Sequence, residues 1–284
     1  MATHTTSIPA PQAGRATAAT PASNTWFGLL PSASLWWREV VRFYRQRSRV
    51  VGVVASPVLF WLVMGSGFGT SFRSGSAGGS THYLEYFFPG ALIMIVLFTS
   101  IFTMMSVIED RREGFLLSVL VAPVSRSVVV MGKVLGGATL ATIQGVIFLA
   151  FAPLVGIHFT LQRFAATVLV VGLVSFALTA LGFAIAWPMD SSQAFHAVVN
   201  LFMIPLWLVS GALFPMTGAS FWIRAIMRAN PLTYGVEALR GLLFPGAALD
   251  FPVTYAIGVL AAFSVAMFAI AFLVANRRST KPAA

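Results

Sequence analysis

The chain has 284 residues, of which 58% are hydrophobic and only 9% are charged, and its mean hydropathy is +0.86. A soluble domain carries about 25% charged residues, so this composition excludes an ordinary soluble domain and indicates a membrane protein. The net charge is +10, but the basic residues lie beside apolar runs, which favours contact with anionic lipid over nucleic acid. The sequence has no cysteine and only four scattered histidines, which excludes disulfides and argues against a zinc site.

The N-terminal part of the chain changes character near residue 34. Residues 1–33 are rich in Ala, Thr, Ser and Pro, and we expect them to form a disordered cytoplasmic tail. Residues 34–49 carry aromatic and arginine side chains at helical spacing, which predicts an interfacial helix with its arginines toward lipid phosphate. A basic anchor beside the membrane and a contact with a cytoplasmic partner both fit this pattern. The candidate residues of the interfacial helix are Trp36, Trp37, Arg38, Arg42 and Arg45.

Six apolar segments follow, and each is close to or above the ~20 residues that a helix needs to cross a bilayer. They comprise residues 50–68, 87–108, 128–155, 164–187, 194–214 and 253–274. The third segment is overlong and contains Pro153, so we expect its end to kink or to leave the bilayer. The fourth and fifth segments are joined by a short turn, which predicts an antiparallel hairpin. These segments predict an all-α polytopic membrane protein with six transmembrane helices.

The distribution of basic residues predicts the orientation of the bundle. Most of the 18 lysines and arginines lie before the first segment, between the second and third, or after the last. Because cytoplasmic loops are enriched in lysine and arginine, we expect both termini to be cytoplasmic, including a basic tail at residues 277–284. The loop between the second and third segments is expected on the same side.

That loop begins the only charge-dense stretch inside the apolar part of the chain, residues 109–133. Its mixed charges can dock into a groove of a partner protein in a defined register, and Phe115 begins an apolar knob beside them. We interpret it as a short loop with a helical centre that receives force from a partner. The alternative is a charged loop that only ends a helix at the membrane surface. The candidate coupling residues are Glu109, Asp110, Arg111, Arg112, Glu113, Gly114, Phe115, Pro123 and Arg126.

Residues 215–251 are unusual for an external loop. The run FWIRAIMRA predicts a short helix, and Pro231 must break it because a proline disfavours helical backbone at the preceding residue. A second short helix follows, with Glu237 and Arg240 at i, i+3 spacing. Two short amphipathic helices predict a re-entrant hairpin in the outer leaflet, and two helices lying on the surface are the alternative. The candidate residues of the re-entrant motif are Asn230, Pro231, Tyr234, Glu237 and Arg240.

The sequence lacks the motifs of an energy-converting enzyme. The sequence Gly132-Lys133-Val134 lacks the first glycine and the final hydroxyl of a phosphate-binding loop, and the chain has no nucleophile elbow. The spans contain essentially no ionisable residues, which disfavours ion-coupled transport and an intramembrane enzyme. We therefore expect no catalytic residue, cofactor site or metal site in this chain, and we expect its energy source to be another protein.

Three segments in fixed order resemble permease subunits of type-2 ABC exporters, and they are most similar to the daunorubicin-resistance and polysaccharide-export branch. They are YFFPGALIMIVLFTS at 86–100, EDRREGFLLSVLVAPVSRSVVVMGKVLG at 109–136 and NPLTYGVEALRG at 230–241. The resemblance covers about residues 34–276 and implies a cytoplasmic coupling helix and extracytoplasmic re-entrant helices. It also implies a bacterial inner membrane location, a dimer of permeases, expected to be a homodimer, and two cytoplasmic ATPase subunits that bind ATP and Mg²⁺.

The expected function is therefore ATP-driven export of a drug-like, lipid-like or other amphipathic molecule. Export of a lipid-linked polysaccharide or of sodium is the alternative within transport, and a membrane anchor that transports nothing is the alternative outside it. Membrane lipid is an expected partner and nucleic acid is not. We expect the first, second and fifth spans to meet at the dimer seam. The candidate path residues are Trp61, Met64, Phe98, Met104, Asn200, Met203 and Ser210.

Overall fold

The computed structural model describes residues 26–45, 47–68, 83–116 and 125–277. All regular secondary structure in these ranges is helical, which confirms the predicted all-α class. The helices are α1 (Trp26–Arg45), α2 (Arg47–Phe68), α3 (Tyr83–Thr103), α4 (Met105–Arg112), α5 (Arg126–Leu149), α6 (Leu161–Ala186), α7 (Ser192–Trp207), α8 (Phe221–Ala229), α9 (Pro231–Leu243) and α10 (Val253–Asn276).

Several predictions fall on parts of the chain that the structure does not describe. These parts include the first 25 residues of the predicted tail, the loop around Arg73, the turn at Pro123 and the basic residues after Arg277. Five helical segments of the described part are long and apolar enough to cross a membrane, and they correspond to the second through sixth predicted spans. The first predicted span lies in α2, whose apolar stretch is the shorter segment Pro57–Gly67.

The second predicted span, residues 87–108, is the middle of a longer helical segment formed by α3 and α4. This segment extends from Tyr83 to Arg112 and is interrupted only by a tighter turn at Met104. The sequence between Gly90 and Gly114 has neither proline nor glycine, so nothing in it ends a helix earlier. The expectation that residues 109–112 belong to a loop is therefore wrong, because they form the last turn of α4.

The third predicted span ends as an α-helix before its apolar sequence does, and the fifth changes its type of helix near its end. Helix α5 stops at Leu149 and is followed by a 3₁₀ turn at Ala152–Val155, so the expected kink near Pro153 is confirmed. The α-helical part, α7, ends at Trp207, and one π-helical turn, Leu208–Ala212, follows it directly. Gly211 in that turn has a left-handed backbone conformation, with φ +80°. This conformation ends the helix.

The core lies around α3, α5 and α6. Helix α3 packs against α2, α5 and α6, while α6 also packs against α9 and α10. Aromatic side chains fill the space between α2, α3 and α5, where the ring of Trp61 lies 5.5 Å from that of Phe88 and 5.6 Å from that of Phe148. Each of these three side chains is fully buried. Aromatic packing therefore holds α2, α3 and α5 together.

Helix α1 differs from the prediction in both its start and its buried face. It begins at Trp26, so the expectation of disorder over residues 1–33 is wrong for residues 26–33. Helix α1 packs along α5, and the buried residues of its contact stripe are Leu35, Glu39 and Phe43, rather than the predicted tryptophans. Of the predicted helix 34–49, residues 34–45 belong to α1 and residues 47–49 to α2, and Gln46 lies outside the described residues.

Two glycines of α5 explain how α1 approaches so closely. A Cβ atom added to Gly132 would lie 2.8 Å from the Cβ of Leu35, and one added to Gly136 would lie 2.9 Å from the Cβ of Glu39. The two glycines have the small-xxx-small spacing that permits close helix packing. The two glycines therefore allow the middle of α1 to pack directly on α5.

Candidate functional site

The charged end of α4 lies against α1 and α5, and it forms a network that we call the buried charge cluster. Its carboxylates and its lysine are withdrawn from solvent, and two half-buried arginines close its outer side. The residues of the cluster are Arg38, Glu39 and Arg42 of α1, Ser106 and Asp110 of α4, and Lys133 of α5. The cluster thus joins three helices at one end of the bundle.

Asp110 is the centre of the cluster. Its carboxylate is 0% exposed and accepts two hydrogen bonds from Arg38, at 3.0 and 2.9 Å, and one from Arg42 at 2.8 Å. It also accepts a short hydrogen bond from the Lys133 ammonium. The hydrogen bond to Asp110 raises the pKa of the Arg38 guanidinium above its ordinary value, so this side chain stays charged. Asp110 therefore faces the interior of this chain and not a docking partner.

Lys133 and Glu39 form a second buried ion pair in the cluster. The Nζ of Lys133 donates to Oε1 of Glu39 at 2.6 Å and to Oγ of Ser106 at 3.1 Å. The hydroxyl of Ser106 in turn donates to Oε2 of Glu39 at 2.8 Å. With the bond to Asp110, all three ammonium donors of Lys133 are used, which is the condition for burying a charged amine.

The expectation that the spans contain essentially no ionisable residues is therefore wrong for Lys133 in the third predicted span, while Asp110 lies two residues beyond the second. Asp110 and Lys133 both lie in helices that are long and apolar enough to cross a membrane. The sequence shows Lys133 only as the remnant of a poor phosphate-binding motif, and it gives no signal that Glu39 is its partner. A lysine and a glutamate 94 residues apart cannot be paired from spacing alone.

The arginines after Asp110 contact the turn between α6 and α7. Arg111 donates through Nη1 to the carbonyl of Met189 and to a carboxylate oxygen of Asp190, both at 3.2 Å, and through Nη2 to the carbonyl of Trp187. Arg112 donates through Nε to the carbonyl of Asp190 at 3.0 Å. The end of α4 is thus attached to the α6–α7 hairpin as well as to α1 and α5.

The remaining charges at this end of α4 are more accessible. Glu109 accepts a hydrogen bond from Arg42 at 2.7 Å and is partly exposed. Glu113 is 60% exposed, and its carboxylate lies 3.8 Å from the guanidinium of Arg42. Gly114 follows in a left-handed conformation, with φ +76°. Glu113 is therefore the most accessible acidic residue of the candidate coupling set.

Two candidate coupling residues have internal contacts instead of a free surface. The ring of Phe115 lies 3.6 Å beneath the guanidinium of Arg38 and packs against a small cluster that contains Leu35 and Val129. Arg126 donates to the carbonyl of Ala275 at 3.0 Å, which satisfies an acceptor at the end of α10. The Phe115 part of the predicted apolar knob therefore packs within this chain.

The predicted interfacial residues divide between the two sides of α1. The indole of Trp36 donates to the hydroxyl of Thr139 on α5 at 3.0 Å, whereas Trp37 is 59% exposed. Arg45 is exposed, while Arg38 and Arg42 bind the carboxylates of α4. The prediction that Arg38 and Arg42 point toward lipid phosphate is therefore wrong, because internal acids neutralise them.

The predicted break between the two short helices is confirmed at Asn230. Asn230 is extended and caps α9 by accepting a hydrogen bond from the amide of Leu232 at 3.0 Å, and Pro231 occupies the first helical position. The side-chain amide of Asn230 also donates to the carbonyl of Leu206 on α7 at 2.6 Å. Tyr234 ties the two short helices together, since its hydroxyl donates to the carbonyl of Arg228 at 2.7 Å.

Glu237 and Arg240 form the predicted i, i+3 ion pair, with a 2.5 Å separation between Oε1 and Nη1. Arg240 also donates through Nη2 to the carbonyl of Gly211 at 2.9 Å and lies 4.4 Å above the ring of Tyr86. The hydroxyl of Tyr86 donates to the same carbonyl at 3.0 Å. The ion pair thus supports the broken end of α7, a contact that sequence spacing does not predict.

The predicted path residues do not share one surface within the subunit. Trp61, Met104, Met203 and Ser210 are buried in the packed core. Trp61 donates to the carbonyl of Leu84, and Ser210 donates to that of Trp207. Of the remaining path residues, Met64 and Phe98 are half-buried and Asn200 is exposed. The prediction that all seven line a path is therefore wrong for the four buried residues, because these pack inside one subunit.

Comparison with known proteins gives one family for most of the chain. Residues 33–244 match the family model described as ABC-2 type transporter. The chain is 26% identical over 252 residues to the inner membrane transport permease YadH of Escherichia coli strain K12, which covers 86% of this chain and 94% of YadH. It is 26% identical over 215 residues to ycf38 of Cyanophora paradoxa, named as a transport permease, covering 72% of this chain and 71% of ycf38.

A third relative is the daunorubicin resistance ABC transporter permease protein DrrB1 of Streptomyces coeruleorubidus. It is 22% identical over 214 residues, which cover 73% of this chain and 72% of DrrB1. The family match spans the helices that build both the buried charge cluster and the Asn230–Arg240 motif. The chain therefore belongs to the ABC-2 type transporter family and is a membrane permease that works with the ATPase of an ABC transporter.

Proposed function

We propose that this chain is the permease subunit of an ATP-driven exporter, which moves an amphipathic, drug-like or lipid-like molecule out of the cytoplasm. ATP and Mg²⁺ would be bound by two copies of a separate cytoplasmic ATPase, and the chain itself would be neither an enzyme nor a cofactor-binding protein. The proposal further places the buried charge cluster at the cytoplasmic side of the bacterial inner membrane, together with both chain termini.

The attachment of α4 is the observation that carries this proposal. On its inner side, Asp110 binds α1 and α5, and Arg111 binds the α6–α7 turn. On its outer side, Glu113 remains largely exposed. The ATPase can therefore bind at the exposed charge of Glu113. A displacement there would be passed through Asp110 and Arg111 to several spans at once.

The proposed path lies between two copies of the chain. Helices α2, α3 and α7 are neighbours, since Phe60 of α2 lies 6.0 Å from Trp207 of α7 and Phe102 of α3 lies 4.9 Å from His196 of α7, measured between ring centroids. The candidate path residues that keep some exposure on these helices are Met64, Phe98 and Asn200. An adaptable methionine and an aromatic ring suit an amphipathic cargo, and the name of DrrB1 agrees with drug export.

Charge reversal at Glu113 tests the docking part of the proposal. The full chain would be co-expressed with its ABC ATPase, and the amount of ATPase that co-purifies would be compared between the unaltered chain and Glu113→Arg. We expect the affinity for the ATPase to fall about tenfold, equivalent to about 1.4 kcal/mol. The reason is that an arginine at this position would repel the basic groups of the ATPase that would pair with Glu113. Unchanged co-purification would contradict docking at this position.

Glu85→Arg is the matched control for this experiment. Glu85 is the same residue type at the other end of the α3–α4 segment, about 40 Å away by the rise of a helix. We expect this variant to keep its ATPase. Equal losses in both variants would mean that reversed charge damages the permease generally, and would contradict a specific port at Glu113.

The cargo class is tested with the purified complex in lipid vesicles. We expect amphipathic cations such as anthracyclines to stimulate ATP hydrolysis. We expect the rate of hydrolysis to stay the same when potassium chloride is replaced by sodium chloride at equal ionic strength. Stimulation by sodium alone would contradict the proposed cargo.

A further inference from the structure

Asp110 has a contact set that docking to an ATPase does not explain. It is fully buried, and it accepts hydrogen bonds from two residues of α1 and from one residue of α5. A carboxylate that served as a docking charge would need an accessible oxygen. Asp110 instead connects the end of α4 to two other helices inside the same chain.

The geometry of these bonds leaves little freedom for relative movement. Arg38 binds both oxygens of Asp110 in a forked arrangement, which fixes the orientation as well as the distance. Lys133 approaches from α5 and is itself held by Glu39 of α1. Sliding α4 by one residue, about 1.5 Å, would break several charged hydrogen bonds in a buried site at the same time.

The close packing of α1 on α5 makes these two helices a suitable base for α4. Gly132 and Gly136 flank Lys133 on α5 and leave no room for a Cβ atom beside α1. The bond from Trp36 to Thr139 adds a further contact between the same helices, one turn beyond Gly136. Helices α1 and α5 therefore present Arg38 and Lys133 to Asp110 from one packed unit.

We propose that Asp110 is a positioning residue that makes the end of α4 move together with α1 and α5 when the partner ATPase pushes on the exposed Glu113 that follows α4. This inference rests on the proposed function, and it adds a route for the displacement. Force reaches α1 and α5 through Asp110. Helix α1 is then a moving part of the permease rather than a passive anchor in the lipid surface.

The test measures the separation of α1 and α4 in two nucleotide states. The natural chain has no cysteine, so spin labels can be attached to the pair Tyr44→Cys and Arg112→Cys, both at exposed positions. Because Arg112→Cys removes the bond to the Asp190 carbonyl, co-purification of the ATPase with the labelled permease is checked first. The labelled permease would be assembled with the ATPase and measured without nucleotide and in an ATP-trapped state. With Asp110 present, we expect the same mean separation in both states.

Asp110→Asn is the informative variant because it keeps the shape of the side chain and leaves the other charges with partners. Lys133 retains Glu39, Arg42 retains Glu109, and Arg38 is partly exposed to water. We expect this variant to bind the ATPase and to show a separation that changes on ATP trapping. Asp110→Glu restores the charge, and we expect it to show a smaller change of the separation on ATP trapping than Asp110→Asn. A purely structural role of Asp110 would not require this difference between the two variants.

Asp250→Asn serves as the matched control, since Asp250 is exposed and lies beyond α9. We expect it to behave like the unaltered chain. The inference is overturned if the separation changes with nucleotide while Asp110 is present, or if Asp110→Asn leaves it constant. Failure of the ATPase to co-purify with the unaltered chain would instead contradict the proposed function, so the two failures are distinguishable.

Discussion

The guanidinium of Arg240 donates to the carbonyl of Gly211, 29 residues earlier in the chain, at 2.9 Å. It binds Glu237 at the same time and stacks over Tyr86. The carbonyl of Gly211 lies in the π-helical turn that ends α7, where regular helical bonds stop. Arg240 therefore replaces part of the hydrogen bonding that this turn has lost.

Replacing Arg240 by methionine should lower the stability of the permease. The change strands the buried carboxylate of Glu237 and removes a donor from the Gly211 carbonyl, so we expect a loss of about 3 kcal/mol in the free energy of unfolding. Thermal unfolding in detergent measures the loss. Arg228→Met is the control, since the side chain of Arg228 is exposed, and an equal loss there would contradict this role for Arg240.

The pair of Lys133 and Glu39 should show strong coupling in a double-mutant cycle. Lys133→Met leaves Glu39 buried without its ammonium partner, and we expect it to cost about 3–5 kcal/mol in the free energy of unfolding. Glu39→Gln/Lys133→Met removes both charges together and should recover most of that loss. A double variant as unstable as the lysine variant would show that Lys133 acts mainly through its other contacts.

A methyl group at Gly136 should weaken the packing of α1 on α5. Its Cβ would lie 2.9 Å from the Cβ of Glu39, so Gly136→Ala is expected to cost about 1–3 kcal/mol in the free energy of unfolding. Gly258→Ala tests the same change in α10 where no atom lies within 4 Å, and it should be neutral or stabilising. Comparison of the two melting temperatures checks the prediction, and equal effects would contradict it.

At position 230, losing the amide that donates to the Leu206 carbonyl should cost less stability than also losing the oxygen that caps α9. Asn230→Ser keeps an uncharged oxygen for the amide of Leu232 but loses the amide donor that binds the Leu206 carbonyl, while Asn230→Ala loses both. We expect the alanine variant to lose about 2 kcal/mol in the free energy of unfolding from the missing cap and hydrogen bond, and the serine variant to lose less. The reverse order in thermal unfolding would show that the bond to α7 matters more than the cap.

Local sequence signals predicted the features that depend on neighbouring residues. The break before Pro231 and the ion pair between Glu237 and Arg240 follow from backbone sterics and helical spacing. The spacing of Gly132 and Gly136 is typical of a close helix contact, but the spacing alone does not identify α1 as the partner. These features are fixed within one or two helical turns.

Features that depend on distant residues could not be predicted in the same way. Arg38 and Asp110 are 72 residues apart, and nothing in the charge pattern of either segment shows that they meet. The burial of Trp61 and Met104 likewise depends on which helices pack side by side. An apolar residue in a membrane helix has the same composition signal whether it faces lipid, a cargo or the core.

The pairing of Glu39 with Lys133 also sets an order for biogenesis. Glu39 leaves the ribosome 94 residues before the lysine that neutralises it, which corresponds to about 5–20 s of synthesis. During that interval α1 carries an acid that cannot be buried in lipid, because its basic partner does not yet exist. We therefore expect helix α1 to stay in the wet headgroup layer and to dock only after α5 has been inserted.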